Sequence, residues 1–126
     1  MNNSARDIAL DIAERIHGLG TIDVKRFFGG AALVADGVQF GFVMKGTLYL
    51  RVDDDSRPRF EALGAHPFSY EGGAKVVKVA SYYTAPDDVL DNSDELRLWA
   101  ATAHRAALAA RGTSTAHKKS VKGNKS

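Results

Sequence analysis

Between Ile16 and Val24 the apolar spacing of the chain changes from four to two, and that change limits the fold more than any other feature. Ile8, Ile12 and Ile16 recur at every fourth residue with Ala5, Ala9 and Ala13 beside them, which predicts an amphipathic helix over about residues 4–18. Ser4-Ala5-Arg6-Asp7 supplies a cap at its start, and Gly18 and Gly20 are stop signals. From Val24 to Val52 the alternation is broken at Gly29-Gly30, Asp36-Gly37 and Lys45-Gly46, predicting three antiparallel strands. Val38, Phe40, Phe42 and Met44 are expected on one oily face, with Gln39, Gly41, Val43 and Lys45 opposite. Leu48, Leu50 and Val52 likewise oppose Tyr49 and Arg51.

Asp53-Asp54-Asp55-Ser56 ends the third strand and offers N-caps to a short helix over Arg57–Leu63, with Pro58 in its first turn and Gly64 at its end. A second hairpin follows, Pro67–Tyr70 and Lys75–Thr84 around Gly72-Gly73, with Val77, Val79, Ser81 and Tyr83 on one side and Val76, Lys78, Ala80 and Tyr82 on the other. A last helix starts near Asn92 or Ser93 and carries Leu96, Trp99, Ala103, Ala106, Ala107 and Ala110 at spacings of three and four. The expected fold is α+β, a two-layer sandwich in the order α-β-β-β-α-β-β-α, with helices on one face of a five-stranded antiparallel sheet.

Composition narrows the chemistry. The 126 residues contain no cysteine, which removes disulfides, thiolate metal sites, iron–sulfur clusters and cysteine nucleophiles. No apolar run approaches the roughly 18–20 residues needed to cross a bilayer, and the N-terminus lacks a secretory pattern, so a soluble cytoplasmic chain without membrane contact is expected. Arg111, Lys118, Lys119, Lys122 and Lys125 fall in an acid-free segment; removing these five from 17 basic residues leaves 12 against 15 acidic, a net charge of −3 for residues 1–110. Residues 1–110 therefore read as the folded domain and 111–126 as a disordered basic tail, since its Ser, Thr, Gly and Lys cannot offset roughly 1–2 kcal/mol of ordering cost per residue.

Several patterns invite a catalytic reading and lack its remaining parts. Asp53-Asp54-Asp55 is the densest carboxylate run, but capping of the helix just downstream explains it better than a hard cation does. His17, His66, His104 and His117 stand singly, without metal-ligand spacing. Gly29-Gly30 feeds a strand and lacks a following Lys-Ser/Thr, so it reads as a bend between paired strands where a Cβ would clash. Ser81 sits in no nucleophile elbow. No enzyme, metal or cofactor is expected. Gly29, Gly30, Gly37 and Gly46 are taken as structural turns. Val43, Tyr49, Arg51, Lys78 and Tyr82 are candidates for a protein interface on the open sheet face, toward an unidentified partner or a second copy in a homodimer. Arg111, Lys118, Lys119, Lys122 and Lys125 are candidates for weak, sequence-independent nucleic-acid contact.

The runs Lys25-Arg26-Phe27-Phe28-Gly29-Gly30, Asp36-Gly37-Val38-Gln39-Phe40 and Leu48-Tyr49-Leu50-Arg51-Val52-Asp53 resemble the N-terminal domain of the TfoX/Sxy competence regulators. Pro67-Phe68-Ser69-Tyr70, Ser81-Tyr82-Tyr83 with Pro86, and Glu95-Leu96 through Trp99-Ala100 are similar to its later motifs. The resemblance covers roughly residues 20–110. It implies the same α+β order in a bacterial cytoplasm, no known catalytic centre or cofactor, and regulation by protein contact, linked to transcription or competence. Family members often carry Met where Phe27 stands, and the full regulators carry a second, helical domain where this sequence has its basic tail.

Overall fold

The structure, a computed structural model, describes residues 4–16 and 18–122, with side chains as far as Arg111. His17, the side chains of His117, Lys118, Lys119 and Lys122, and all of Lys125 lie outside the described residues. The first helix, α1, spans Ala5–Arg15, and the Ser4 hydroxyl accepts from the Asp7 amide at 3.1 Å, the cap expected at its start. Four strands follow, not three: β1 Ile22–Phe27, β2 Gly30–Ala35, β3 Val38–Met44 and β4 Thr47–Arg51. Then come α2 Arg57–Ala62, β5 Pro67–Gly72, β6 Lys75–Thr84, a one-turn α3 Asp87–Leu90, and α4 Ser93–Lys122. The six strands form one antiparallel sheet in the order β1-β2-β3-β4-β6-β5, correcting the expected count of five.

The extra strand arises at Phe28-Gly29. Phe27 pairs with Gly30, so residues 28 and 29 alone make the turn, with φ of 46° and 83°. Asp36-Gly37 and Lys45-Gly46 make the same kind of two-residue hairpin, as expected. Gly30 is thus the first residue of β2 and not part of a turn. Its glycine is required for the steric reason expected: a Cβ there would lie 2.2 Å from the Val43 carbonyl oxygen.

Helices α1, α2 and α4 pack on one face of the sheet. Ala9, Ile12 and Ile16 meet Ala31, Leu33, Ala35, Val38 and Phe40, while Leu96, Trp99, Ala100, Ala103 and Ala107 extend the same core over Val43, Leu48 and Leu50. Each large side chain buried in this way contributes about 1.5–3 kcal/mol. Phe60 of α2 closes one end edge-on to Trp99, with ring centroids 4.7 Å apart. Helix starts follow local hydrogen bonding. Asn92 Oδ1 accepts from the Glu95 amide at 3.1 Å, and Asp53 Oδ1 accepts from the Asp55 and Ser56 amides at 3.1 and 2.9 Å. The Ser56 amide, the larger cause, holds the Asp53 carboxyl below the ordinary carboxylate range. This is the capping role expected of the acidic run. The backbone of α4 stays helical to Lys122, past the boundary drawn at residue 110.

Two register shifts decide which side chains face the core. Leu33 pairs with Gly41 but Val34 pairs with Gln39, leaving Phe40 as an extra residue in β3. Val38, Phe40 and Val43 therefore face the helices, and Phe42 and Met44 face the other way, which corrects the strict alternation assumed from the sequence. In the outer hairpin Phe68 pairs with Val79 but Pro67 pairs with Tyr83, so Ala80, Ser81 and Tyr82 have no partner on β5. Their carbonyls are used elsewhere: Ser81 O accepts from the Val52 amide at 2.9 Å and Ala80 O from Arg57 Nε at 3.2 Å.

A methyl group at Gly30 must displace backbone, so Gly30→Ala is expected to cost about 2 kcal/mol in urea denaturation. Phe28→Asn is expected to stabilise by about 1 kcal/mol in the same measurement, because asparagine takes the left-handed conformation with less strain than a bulky ring.

Candidate functional site

The sheet face away from the helices is lined by aromatic rings. Phe42 of β3 sits at the centre and is only 2% exposed although no described helix covers it. Around it stand Phe27 at 4.8 Å between ring centroids, Tyr49 at 4.9 Å, Phe68 at 5.0 Å and Tyr82 at 5.0 Å. Tyr49 and Phe68 also meet edge-on at 5.0 Å. Strand β5 lies three positions from β3, about 14 Å away in a flat sheet, so rings 5.0 Å apart show that the sheet curls and the face is concave. Offset and edge-on pairs of this kind each add about 0.5–1.5 kcal/mol beyond their buried area.

The curl leaves a groove of about 460 Å³ lined by Phe27, Phe28, Phe42, Met44, Phe68, Tyr70, Val79 and Tyr82. A second depression of about 520 Å³ shares Met44, Phe68 and Tyr70 with it and continues past Lys45, Glu71 and Val76. The Tyr82 hydroxyl donates to the Gln39 carbonyl at 3.2 Å, and burial, the largest cause, pushes its phenol above the ordinary tyrosine value, opposed by the cation of Arg51. Arg51 lies with its Cζ 5.6 Å from the Tyr82 ring centroid, and its Nε is buried with no hydrogen-bond partner.

Of the interface residues expected from the sequence, Tyr49, Arg51 and Tyr82 come together on this face. Val43 and Lys78 do not. Val43 is 0% exposed in the core because the extra residue at Phe40 turns it inward. Lys78 is adjacent to Val79, a groove residue, and so points to the opposite side; the unpaired stretch before Tyr82 separates it from that ring. Phe27, Phe28, Phe42, Met44, Phe68, Tyr70 and Val79 were not anticipated. Their sequence signals are the i, i+2 pairs Phe42 with Met44 and Phe68 with Tyr70, each of which marks an apolar strand face.

The remaining candidates are structural or lie elsewhere. His104 is 7% exposed, with Nε2 3.1 Å from the Ala35 carbonyl and 3.4 Å from Asp36 Oδ2, fastening α4 to the β2–β3 turn. Arg111 Nη1 donates to the Asp36 carbonyl at 3.4 Å. Among the described residues no three His, Cys, Asp or Glu side chains gather as a metal site, and no helix is long and apolar enough to cross a membrane.

Residues 14–107 match the TfoX N-terminal domain family, and every residue lining the groove falls within that span. The chain belongs to the TfoX N-terminal domain family. Comparison with curated proteins gives no match.

The folded chain holds the Tyr82 proton more tightly than the unfolded chain does. The stability this contributes is intact below the unfolded value, about pH 10, and is lost as the pH rises through the raised folded value. Tyr82→Phe is therefore expected to flatten part of the loss of stability measured by urea titration above about pH 10. Tyr83, whose phenol is raised by its 2.6 Å bond to Glu61, supplies alkaline sensitivity that survives the substitution.

Proposed function

We propose that this protein is a non-enzymatic regulatory module that acts by protein contact through the concave aromatic face of its sheet. The observation that supports this most directly is the cluster centred on Phe42: a dense aromatic surface on the side of the sheet that no described helix covers. Its apolar character continues into solvent at Phe28 and Tyr70, which are 86% and 49% exposed. Contiguous apolar surface beyond a few hundred Å² usually marks a contact site, and Tyr and Phe are favoured there because they bury large area at low rotamer cost. Membership of the TfoX N-terminal domain family supports a regulatory role linked to transcription or competence. One polar group of this face, the Tyr82 hydroxyl, is committed to the Gln39 carbonyl.

Affinity capture from a native bacterial lysate tests this reading. The full chain is expected to retain a partner that Tyr70→Ala and Tyr49→Ala each reduce at least fivefold while circular dichroism stays unchanged. Equal capture by folded variants would end the sheet-face reading. A parallel arm lacking residues 112–126 separates it from nucleic-acid association through the tail lysines, which predicts binding that disappears with the tail and with added salt. Light scattering on the same samples tests the homodimer.

A further inference from the structure

The concave face carries more cation than its own carboxylates use. Lys25 alternates with Phe27 along β1 and so shares its face, Lys45 sits in the β3–β4 turn beside Met44, and Arg51 lies against Tyr82. The carboxylates of this region are Asp23, on the same side of β1 and four residues from Phe27, and Glu71, which lines the second depression with Lys45. Among the described residues none of these groups forms an ion pair; the pairs that do form are Arg57–Asp54, Arg97–Asp94 and His104–Asp36, all elsewhere. Arg51 is the one of them that is partly desolvated against the aromatic cluster. It is half-buried beside the groove, its buried Nε has no acceptor, and its guanidinium faces the ring and hydroxyl of Tyr82, a groove residue, with no carboxylate paired to it among the described residues. A carboxylate brought to a guanidinium in such a partly dry site makes charge-assisted hydrogen bonds that are stronger than those available on an open surface.

A small molecule accounts for less of this surface than a polypeptide does. Filling the 460 Å³ groove would leave most of Phe28 in water. Phe28 is also held at a φ of 46°, in a turn position that favours Asn, Asp or Gly. A bulky residue that is both strained and 86% exposed beside an apolar groove is accounted for if something large covers it. We propose that the groove receives an acidic segment of a partner protein, with one large apolar or aromatic side chain seated among Phe42, Phe68 and Tyr82 and a neighbouring Asp or Glu on Arg51. This rests on the protein-contact reading above and adds the chemistry of the partner.

Selection of a random peptide library displayed on phage against the immobilised full chain tests it. Wild-type protein is expected to enrich peptides with an aromatic or large aliphatic residue next to Asp or Glu. The affinity of an enriched peptide, read by fluorescence anisotropy, is expected to fall at least tenfold with Arg51→Glu and with Tyr70→Ala, and to recover in large part with Arg51→Lys. Selection against Arg51→Glu is expected to favour Lys or Arg in place of the acid. Phe28→Asn, which relieves the strained turn, is expected to weaken the peptide several-fold while raising stability, a result that misfolding cannot produce. Enrichment of neutral or basic peptides by wild type, or peptide binding that survives both Arg51→Glu and Tyr70→Ala, would overturn the inference. So would a homodimer that Tyr70→Ala dissolves, since the face would then be filled by a second copy. Loss of lysate capture in Tyr70→Ala without any acidic peptide preference would leave the protein-contact reading standing and remove only the acidic partner.

Discussion

Leu33 pairs with Gly41, Val34 pairs with Gln39, and the one residue inserted between them decides what each side of the sheet is made of. Ahead of the insertion Val38 and Phe40 face the helices; beyond it the sense reverses, sending Val43 to the core and Phe42 outward. Without that residue Phe42 would join the helix layer and Val43 would take its place at the centre of the other face. The aromatic cluster needs Phe42 where it is, because Phe27, Tyr49, Phe68 and Tyr82 all lie within about one ring width of it and reach one another largely through it. A β-bulge also sharpens the local twist, so the same irregularity that supplies the ring helps to bend the sheet around it.

What could be read from the amino-acid order is what is decided within a few residues. The caps at Ser4 and Asn92, the stop at Gly64, and the turns at Asp36-Gly37 and Lys45-Gly46 are local hydrogen-bond and dihedral chemistry, and all appear where expected. The stripe of Ile12, Ile16, Leu96 and Trp99 is equally local and is buried. Family membership, carried by several spaced motifs, was legible for the same reason. The features missed are set by a neighbouring strand. Nothing within Val38–Met44 announces that Phe40 lacks a partner, and nothing within Lys75–Thr84 announces that three residues bypass β5. Val43 and Lys78 were assigned to the wrong side for that reason. The turn expected at Gly29-Gly30 lies one residue earlier, at Phe28-Gly29, a shift hidden from the sequence because Phe is a poor residue for a positive φ, and β1 is the strand missing from the expected count. The groove was beyond reach altogether, since it exists only once the sheet curls.

The site is therefore made of ordinary core materials placed on the side of the sheet without a helix layer. Phe42 is as buried as Phe60, yet its neighbours include residues such as Tyr70 that are half in water. The interior of the domain is sealed by α1 and α4, and the same residue types on the far side form a cluster that remains incomplete. Charge follows the same division. His104 bonds to the Ala35 carbonyl in the buried layer, whereas Arg51 on the concave side has no acceptor at Nε.

The concave surface is also assembled from two lengths of chain. Phe27, Phe42 and Tyr49 come from the β1–β4 meander, and Phe68, Tyr70, Val79 and Tyr82 from the β5–β6 hairpin. These two units are stitched together through the β4–β6 ladder, which has three paired positions, whereas β1 and β2 share six. That short seam runs directly beneath the groove, between Tyr49 and Tyr82. Even with the Val52 amide on Ser81 O and the Ala85 amide on Leu48 O at its ends, this seam is the one strand ladder joining the two walls, so any fraying there would widen the candidate binding surface while leaving the helix-packed meander in place.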